Sequence, residues 1–389
     1  MKISARPFRC RSAVLLLALC VAGGLAAKAQ AINYLVTNDD TSPNGVTFYS
    51  IGAGGVLTLQ GQISTPGVGI QGGYFGLNRL AVLDNGNSQC VFASEAATGD
   101  IAELLVGSGT VVGTATGSPS DTGVSNGIGL AVNAQYLYAS FTDSSTIGTF
   151  QVQPGCTLTF VNDVPVGGLQ GGIIDGMTIH GNVLIATYAD GSIESFNISS
   201  GTPVSNGDRQ NSTGSKGGAT YPNGIDITQD GHFAVFGDTS TSDIVEVADL
   251  SSGKLAPTSV FRTHAGISSS NVLLSPDESI IYVSNTQGDV ITAVGFNPTT
   301  GLISRGCTSG KLRNYVQGWS YLGGLALQQT TGNGGGVYVA EYGAASTIGV
   351  VNLTVNGGTC TLTEAPASPV SDPTSLGLLS IGRFPPRSF

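Results

Sequence analysis

The chain has 389 residues, 58 of them glycine, with only 10% charged and with 25 Asp and Glu against 15 Lys and Arg. At 40% apolar content it is too hydrophobic for a disordered chain, and its acidic balance excludes nucleic acid as a partner, because phosphate contacts depend on Lys and Arg.

Residues 1–31 read as a secretory leader. A basic start (Lys2, Arg6, Arg9, Arg11) precedes an apolar run from Ala13 to Ala22 and small-residue sites at Ala27-Lys28-Ala29 and Ala29-Gln30-Ala31. Cleavage is expected near Ala29 or Ala31. Cys20 would suit lipid attachment only behind a small residue, and Leu19 stands there. The leader takes five Lys and Arg and no acid with it, leaving ten bases against 25 acids, a net charge of −15. The plain reading is a solvated acidic surface on a soluble, exported protein, whether periplasmic, cell-surface or extracellular. No later window holds the ~20 apolar residues of a membrane helix, so no membrane span is expected.

Residues 32–389 read as one domain in which a unit of about 50 residues recurs. Its clearest part is an apolar strand, a polar loop and a second strand. In chain order the copies are YLVTN (34–38) with VTFYSI (46–51), CVFASE (90–95) with IAELLV (101–106), and LYASF (137–141) with IGTFQV (147–152). VLIATY (183–188) with SIESFNI (192–198) and FAVFGD (233–238) with IVEVADL (244–250) come next. The series ends with IYVSN (281–285) and VITAVGF (290–296), then VYVAE (337–341) and IGVVNL (348–353). A further strand precedes each hairpin from the second onward, at 77–84, 127–133, 175–181, 223–231, 270–278 and 323–329, and a seventh, SLGLLSIG (375–382), stands at the C-terminus. A weaker fourth strand follows the hairpin, as in LTLQGQI (57–63), LTFVNDV (158–164) and LISRG (302–306).

Four antiparallel strands repeated seven times predict an all-β, seven-bladed β-propeller, with the C-terminal strand completing the first blade and closing the ring. Four cysteines follow the leader and form no zinc-type spacing, so two disulfides are expected and three pairings are formally possible. Cys156 and Cys360 each precede Thr-Leu-Thr at the same position of blades three and seven, too far apart to bond. Cys90–Cys156 and Cys307–Cys360 each join neighbouring blades and are the preferred pairs.

YLVTN, IYVSN and VYVAE, each followed by a Val/Ile-rich strand and a turn such as Gly55-Val56-Leu57-Thr58, resemble the YVTN-type repeats of the lactonase-type seven-bladed propellers. Ser275-Pro276-Asp277-Glu278 matches that family's Ser-Pro-Asp-Gly turn with Glu in the Gly position. The resemblance spans the whole chain after the leader. It implies an activity similar to that of 6-phosphogluconolactonase or of the fungal carboxymuconate cyclase, here a hydrolase acting on a carboxylic ester, and no cofactor is expected.

Aligning the second strands by their last residue brings Asn38, Glu95, Phe141, Tyr188, Asp238, Asn285 and Glu341 to one rim, where the inner strands also begin with Asn78, Asp175 and Asn223. A lactonase needs a base to activate water and a cation to stabilise the oxyanion. Glu341, Glu95, Asp238 or Asp175 could supply the base, with Glu341 and Asp238 put first, and Arg79 is expected as the cation, with Asn38, Glu95, Asp175, Asn223 and Asn285 binding substrate. The same residue types also serve strand ends and loop amides, a purely structural use. The remaining bases, among them Arg209, Lys254, Arg262, Arg305, Lys311, Arg313 and Arg383, lie outside the inner-strand starts, which speaks against a phosphorylated substrate. No metal site is expected from His180, His232 and His264, and no G-x-S-x-G elbow supports serine chemistry.

Two functions fit. One is hydrolysis of a small lactone or sugar-derived ester at the channel mouth. The other is a non-catalytic secreted or surface propeller, a monomer presenting its rim to a glycan or protein ligand.

Overall fold

The second strand of each repeat shows why the chain folds as it does. In Ile280–Asn285 the consecutive residues Ile281, Tyr282 and Val283 are all fully buried. A strand apolar on both faces must be covered on both faces, and here a neighbouring sheet covers each side.

The computed structural model describes residues 33–70, 78–86, 88–106, 110–116, 128–142, 144–166, 173–212, 222–239, 243–263, 268–286, 288–314, 321–329, 331–333, 335–342, 345–356, 358–375, 380–384 and 386. The leader and His264 lie outside these residues, as do 376–379 of the expected last strand. Residues Ile32–Phe389 form one compact unit.

Seven antiparallel sheets follow one another in this unit, each running from an inner strand outward. The inner strands of blades 2 to 7 are Leu80–Asp84, Ile128–Val132, Ile174–His180, Pro222–Ile227, Ser269–Leu274 and Tyr321–Leu327. Blade 1 takes its inner strand from the far end of the chain: Ile381–Phe384 pairs with Tyr34–Asn38, with Thr37 opposite Ile381 and Tyr34 opposite Phe384. The ring is therefore closed by its last strand, as the pattern predicts. That strand begins later than the apolar segment 375–382 suggests and runs on to Phe384, which is fully buried. Gly382 and Arg383, between the buried Ile381 and Phe384, break the apolar signal.

Seven apolar clusters hold the wheel together, one per seam. Phe92 and Ile101 of blade 2 pack with Phe141 and Phe150 of blade 3; Leu35 and Tyr49 of blade 1 pack with Tyr338 and Ile348 of blade 7. Each such side chain contributes about 1.5–3 kcal/mol by leaving water. The inner strands approach so closely that a Cβ on Gly224 in blade 5 would lie 2.5 Å from Asn271 Cα in blade 6, so only glycine fits there. Disulfides Cys90–Cys156 and Cys307–Cys360 join blades 2 to 3 and 6 to 7, at Cα separations of 5.4 and 5.6 Å. These are the preferred pairs.

The acidic balance has another use than solvation. Among the described residues thirteen Asp and Glu are buried, so a solvated surface accounts for only part of the acidic balance. Many accept a backbone N–H offered by the neighbouring blade, a group that burial would otherwise leave without a partner. Glu95 takes the amide of Gly67 (2.6 Å), Glu103 that of Leu158 (2.9 Å) and Asp226 that of Leu274 (2.8 Å), and the half-buried Asp208 takes that of Leu255 (2.7 Å) in the same way. Glu278 adopts a left-handed φ of 56° and takes the amide of Gln229. Glutamate replaces the glycine of the Ser-Pro-Asp-Gly turn because its carboxylate stitches blade 6 to blade 5.

Candidate functional site

Strand register puts the ends of the second strands and the starts of the inner strands on one rim: Asp238 faces Pro222, Asn285 faces Ser269, Glu341 faces Leu322 and Tyr188 faces Ile174. His180, paired with Val183 beside the turn at the other end of blade 4, lies away from that rim. Among the described residues no group of three or more His, Cys, Asp or Glu could hold a metal ion, and no helix is long and apolar enough to cross a membrane.

Several rim residues are held by the fold itself. Asn38 donates to the carbonyls of Arg79 (3.2 Å) and Ser94 (3.0 Å), tying blade 1 to blade 2. Asn285, fully buried, accepts from Ser269 Oγ (3.0 Å) and donates to Thr292 Oγ1 (3.0 Å). Burial raises the Glu95 pKa, against the hydrogen bond from the Gly67 amide. A Cβ on Gly67 would collide with the Glu95 carboxylate, so glycine is needed there as well. Asp238 is buried at 4% exposure.

Arg79 and Glu341 belong to different parts of the wheel, with blade 1 between them. The Arg79 guanidinium meets Asp40 of blade 1 at 2.7 Å, and both side chains are buried. Burial lowers the pKa of Arg79 and Asp40 offsets part of that. Glu341 stands at the seam of blades 6 and 7, where Thr347 Oγ1 donates to its Oε2 (2.6 Å) and its buried Oε1 has no hydrogen-bond partner among the described residues. Burial, against the Thr347 hydrogen bond and with the charges of Glu364 and Asp289, raises its pKa to about 7.

Blade 4 gathers the group with the most chemistry. Asp175 sits at the irregular start of the inner strand, where the register shifts between Ile174 and Gly176. It is 8% exposed, and among the described residues no hydrogen bond reaches its carboxylate. Burial, and then the charge of Asp190, raise its pKa to about 7. Asp190 lies in the turn after Tyr188 and accepts from Ser192 N (3.0 Å) and Ser192 Oγ (2.5 Å). Burial opposes its ionisation, but those bonds and Arg209 outweigh it and lower its pKa.

Arg209 completes the cluster. Its Nη2 donates to Asp190 Oδ2 (2.9 Å), its Nε to Ser192 Oγ (2.9 Å), and its guanidinium carbon stands 3.9 Å from the centre of the Tyr188 ring. Glu194 Oε2 accepts from the Tyr188 hydroxyl at 2.9 Å and lies 3.9 Å from Arg209 Nη1. Sequence reasoning sets Arg209 aside as far from the inner strands. The outer edge of blade 4 is broken into two short pieces, Val204–Ser205 and Gln210–Asn211, and the second pairs with Ser192 and Ile193, which brings Arg209 back beside the rim. Asn223, at the start of the next inner strand, accepts from Thr187 Oγ1 through its carbonyl (3.3 Å), and its Oδ1 has no partner among the described residues.

Comparisons place this chain among known propellers. A proposed 6-phosphogluconolactonase from Bacteroides fragilis NCTC 9343 superimposes with a TM-score of 0.66 at 12% identity, over 92% of this chain and 99% of that one. A functionally unknown protein from Desulfotomaculum acetoxidans DSM 771 gives 0.66 at 14% identity, over 91% and 99%. The periplasmic gluconolactonase of Pseudomonas aeruginosa gives 0.56 at 16% identity, over 70% and 81%. At such identities the likeness is one of fold. No curated protein matches the sequence. The family model described as lactonase, seven-bladed beta-propeller, matches residues 113–383, well over half of the chain, and the protein belongs to that family.

Proposed function

We propose that the protein hydrolyses a small lactone at the blade 4 sector of the rim. The observation that carries this reading is the state of Asp175: nearly buried, without hydrogen-bond donors among the described residues, and held at a pKa of about 7. A general base works best with its pKa near the working pH. Asp175 would take a proton from water as the water oxygen bonds to the lactone carbonyl carbon. The ring C–O bond then breaks, and the leaving oxygen recovers the proton, giving the hydroxy acid. Arg79, expected from sequence as the cation for the oxyanion, is already paired with Asp40, and this reading assigns the oxyanion no cation.

Family membership supports the reaction class, since fold alone does not. The two disulfides indicate an oxidising compartment, which with the leader supports export. The alternative, a binding propeller without catalysis, draws on the use of Asn38, Glu95 and Asn285 as internal hydrogen-bond partners.

The test is lactone hydrolysis by the purified chain, measured above the spontaneous rate. Asp175→Asn should lower kcat on the order of 100-fold or more. A loss in Glu341→Gln with Asp175→Asn unaffected would move the reaction to the seam of blades 6 and 7. No hydrolysis of any lactone offered would leave the binding reading.

A further inference from the structure

The blade 4 cluster has more to say about the substrate than about the reaction. Among the described residues Arg209 is the cation of this sector, and its guanidinium is already committed: Nη2 to Asp190, Nε to Ser192, and Nη1 within 3.9 Å of Glu194, with the Tyr188 ring beneath its plane. Three carboxylates, Asp175, Asp190 and Glu194, share the sector with this one guanidinium. Counted over these described residues, the cluster is net negative whenever Asp190 and Glu194 are ionised, whatever the state of Asp175. A guanidinium that receives a phosphate or carboxylate from a substrate does so through parallel N–H donors presented as a fork. Here Asp190 and Ser192 hold those donors from within the protein. The arrangement is partly exposed, with Arg209 and Asp190 side chains at 20% and 18%, so an incoming group would meet it directly.

An anionic substrate therefore faces two obstacles. It must displace a carboxylate that already satisfies Arg209, and it must approach the unbalanced charge of the remaining acids. An uncharged polyol faces neither, because its hydroxyls can donate to Asp190 and Glu194 without removing them from Arg209. Resting on the hydrolase reading above, we infer that Asp190 and Glu194 act with Arg209 as a charge filter: the site takes lactones of uncharged polyols and rejects phosphorylated or carboxylated ones. Asp190 is then a specificity-determining residue, and it acts on Asp175 only through its charge.

The experiment compares kcat/KM for gluconolactone and for its 6-phosphate, each corrected for spontaneous hydrolysis, in the wild-type chain and in Asp190→Asn. The wild type should favour the uncharged lactone at least tenfold, and added salt should narrow the gap, as screening weakens repulsion. Asp190→Asn should shrink that preference at least tenfold and move the acid limb of the pH–rate profile to lower pH, because Asp175 loses a neighbouring charge. A merely structural loss would depress both substrates together and leave the profile in place.

Because Asp190 also holds its turn, Glu194→Gln serves as a second variant and should shift the same ratio in the same direction. A wild type that prefers the phosphorylated lactone, or a ratio unmoved by both variants, overturns the filter while leaving the hydrolase reading standing. Hydrolysis of neither substrate sinks both.

Discussion

Arg79 and Asp40 meet at 2.7 Å with almost no exposure of either side chain, and they join the blade 1 loop between Tyr34–Asn38 and Gly45–Ile51 to the entry of blade 2. Asp40 holds a left-handed φ of 57° and also accepts the amide of Ile70 (2.9 Å), while the Arg79 amide donates to Ser380 Oγ (3.2 Å) just before the closing strand. The pair thus stands where the two ends of the chain come together. Removing one partner strands the other charge in the interior, which typically costs about 3–5 kcal/mol. Arg79→Met is expected to show a loss of that size in urea unfolding. The double variant Arg79→Met, Asp40→Asn should lose clearly less than the sum of the single losses, because asparagine tolerates the left-handed backbone and no lone charge remains. Additive losses would show that the two groups do not act as a pair.

The closing strand makes its own prediction. Phe384 is fully buried among Val36, Val46 and Leu80, at the seam of blades 1 and 2. Phe384→Ala should cost about 3–5 kcal/mol, the usual price of emptying a large buried aromatic site. Ending the chain at residue 380 removes the whole inner strand of blade 1 and uncovers part of two seams, so limited proteolysis should cut the truncated protein far faster than the full chain. Equal resistance of the two would mean that ring closure contributes nothing to stability.

Sequence and structure part company at the polar groups. The seven blades are legible because the second strands are continuous apolar runs, and only burial on both faces explains a run such as Ile281-Tyr282-Val283. The disulfides are legible because Cys156 and Cys360 hold equivalent places in the repeat. Asp40, Glu103 and Asp226 are not, since a lone acid looks solvated until the neighbouring blade supplies an amide or a guanidinium. Arg209 escapes for a related reason: two-residue strands leave no alternation to read. One signal was present, in Glu278, where a side chain occupies a turn position that glycine would fill without strain.

Both disulfides cross a seam, and each closes a long stretch of chain, with sequence separations of 66 and 53 residues. Each is expected to contribute about 2–4 kcal/mol. Replacing Cys90 and Cys156 together by alanine should lower the urea midpoint and steepen the unfolding slope, since the unfolded chain is no longer held compact, as should the Cys307 and Cys360 pair. A reductant should lower the midpoint of the native protein further than either pair alone, and an unmoved midpoint would show that the bridges add nothing to the seams.

The buried carboxylates set the direction of the pH dependence. Burial first, and then Asp372, raise Asp39 from an ordinary 3.8 to about 6, while Glu103, Asp175, Asp289 and Glu341 all reach about 7 from ordinary values of 3.8 or 4.5. Between pH 4 and 7 the folded chain binds protons at these sites that the unfolded chain has already released. Stability therefore falls as pH rises through that window and levels off above it. Asp190, Asp230 and Asp249 are shifted down instead, and their stabilisation is lost only as pH drops below about 4. The melting temperature should be higher at pH 5 than at pH 8, by roughly 5 °C or more, the reverse of an acid-sensitive protein. Glu341→Gln removes one of the raised groups, so its stability should depend less steeply on pH between 5 and 8 than that of the wild type. A wild-type melting temperature that rises from pH 5 to pH 8 would mean that these carboxylates are ionised in the folded chain at pH 5 and that burial does not raise them.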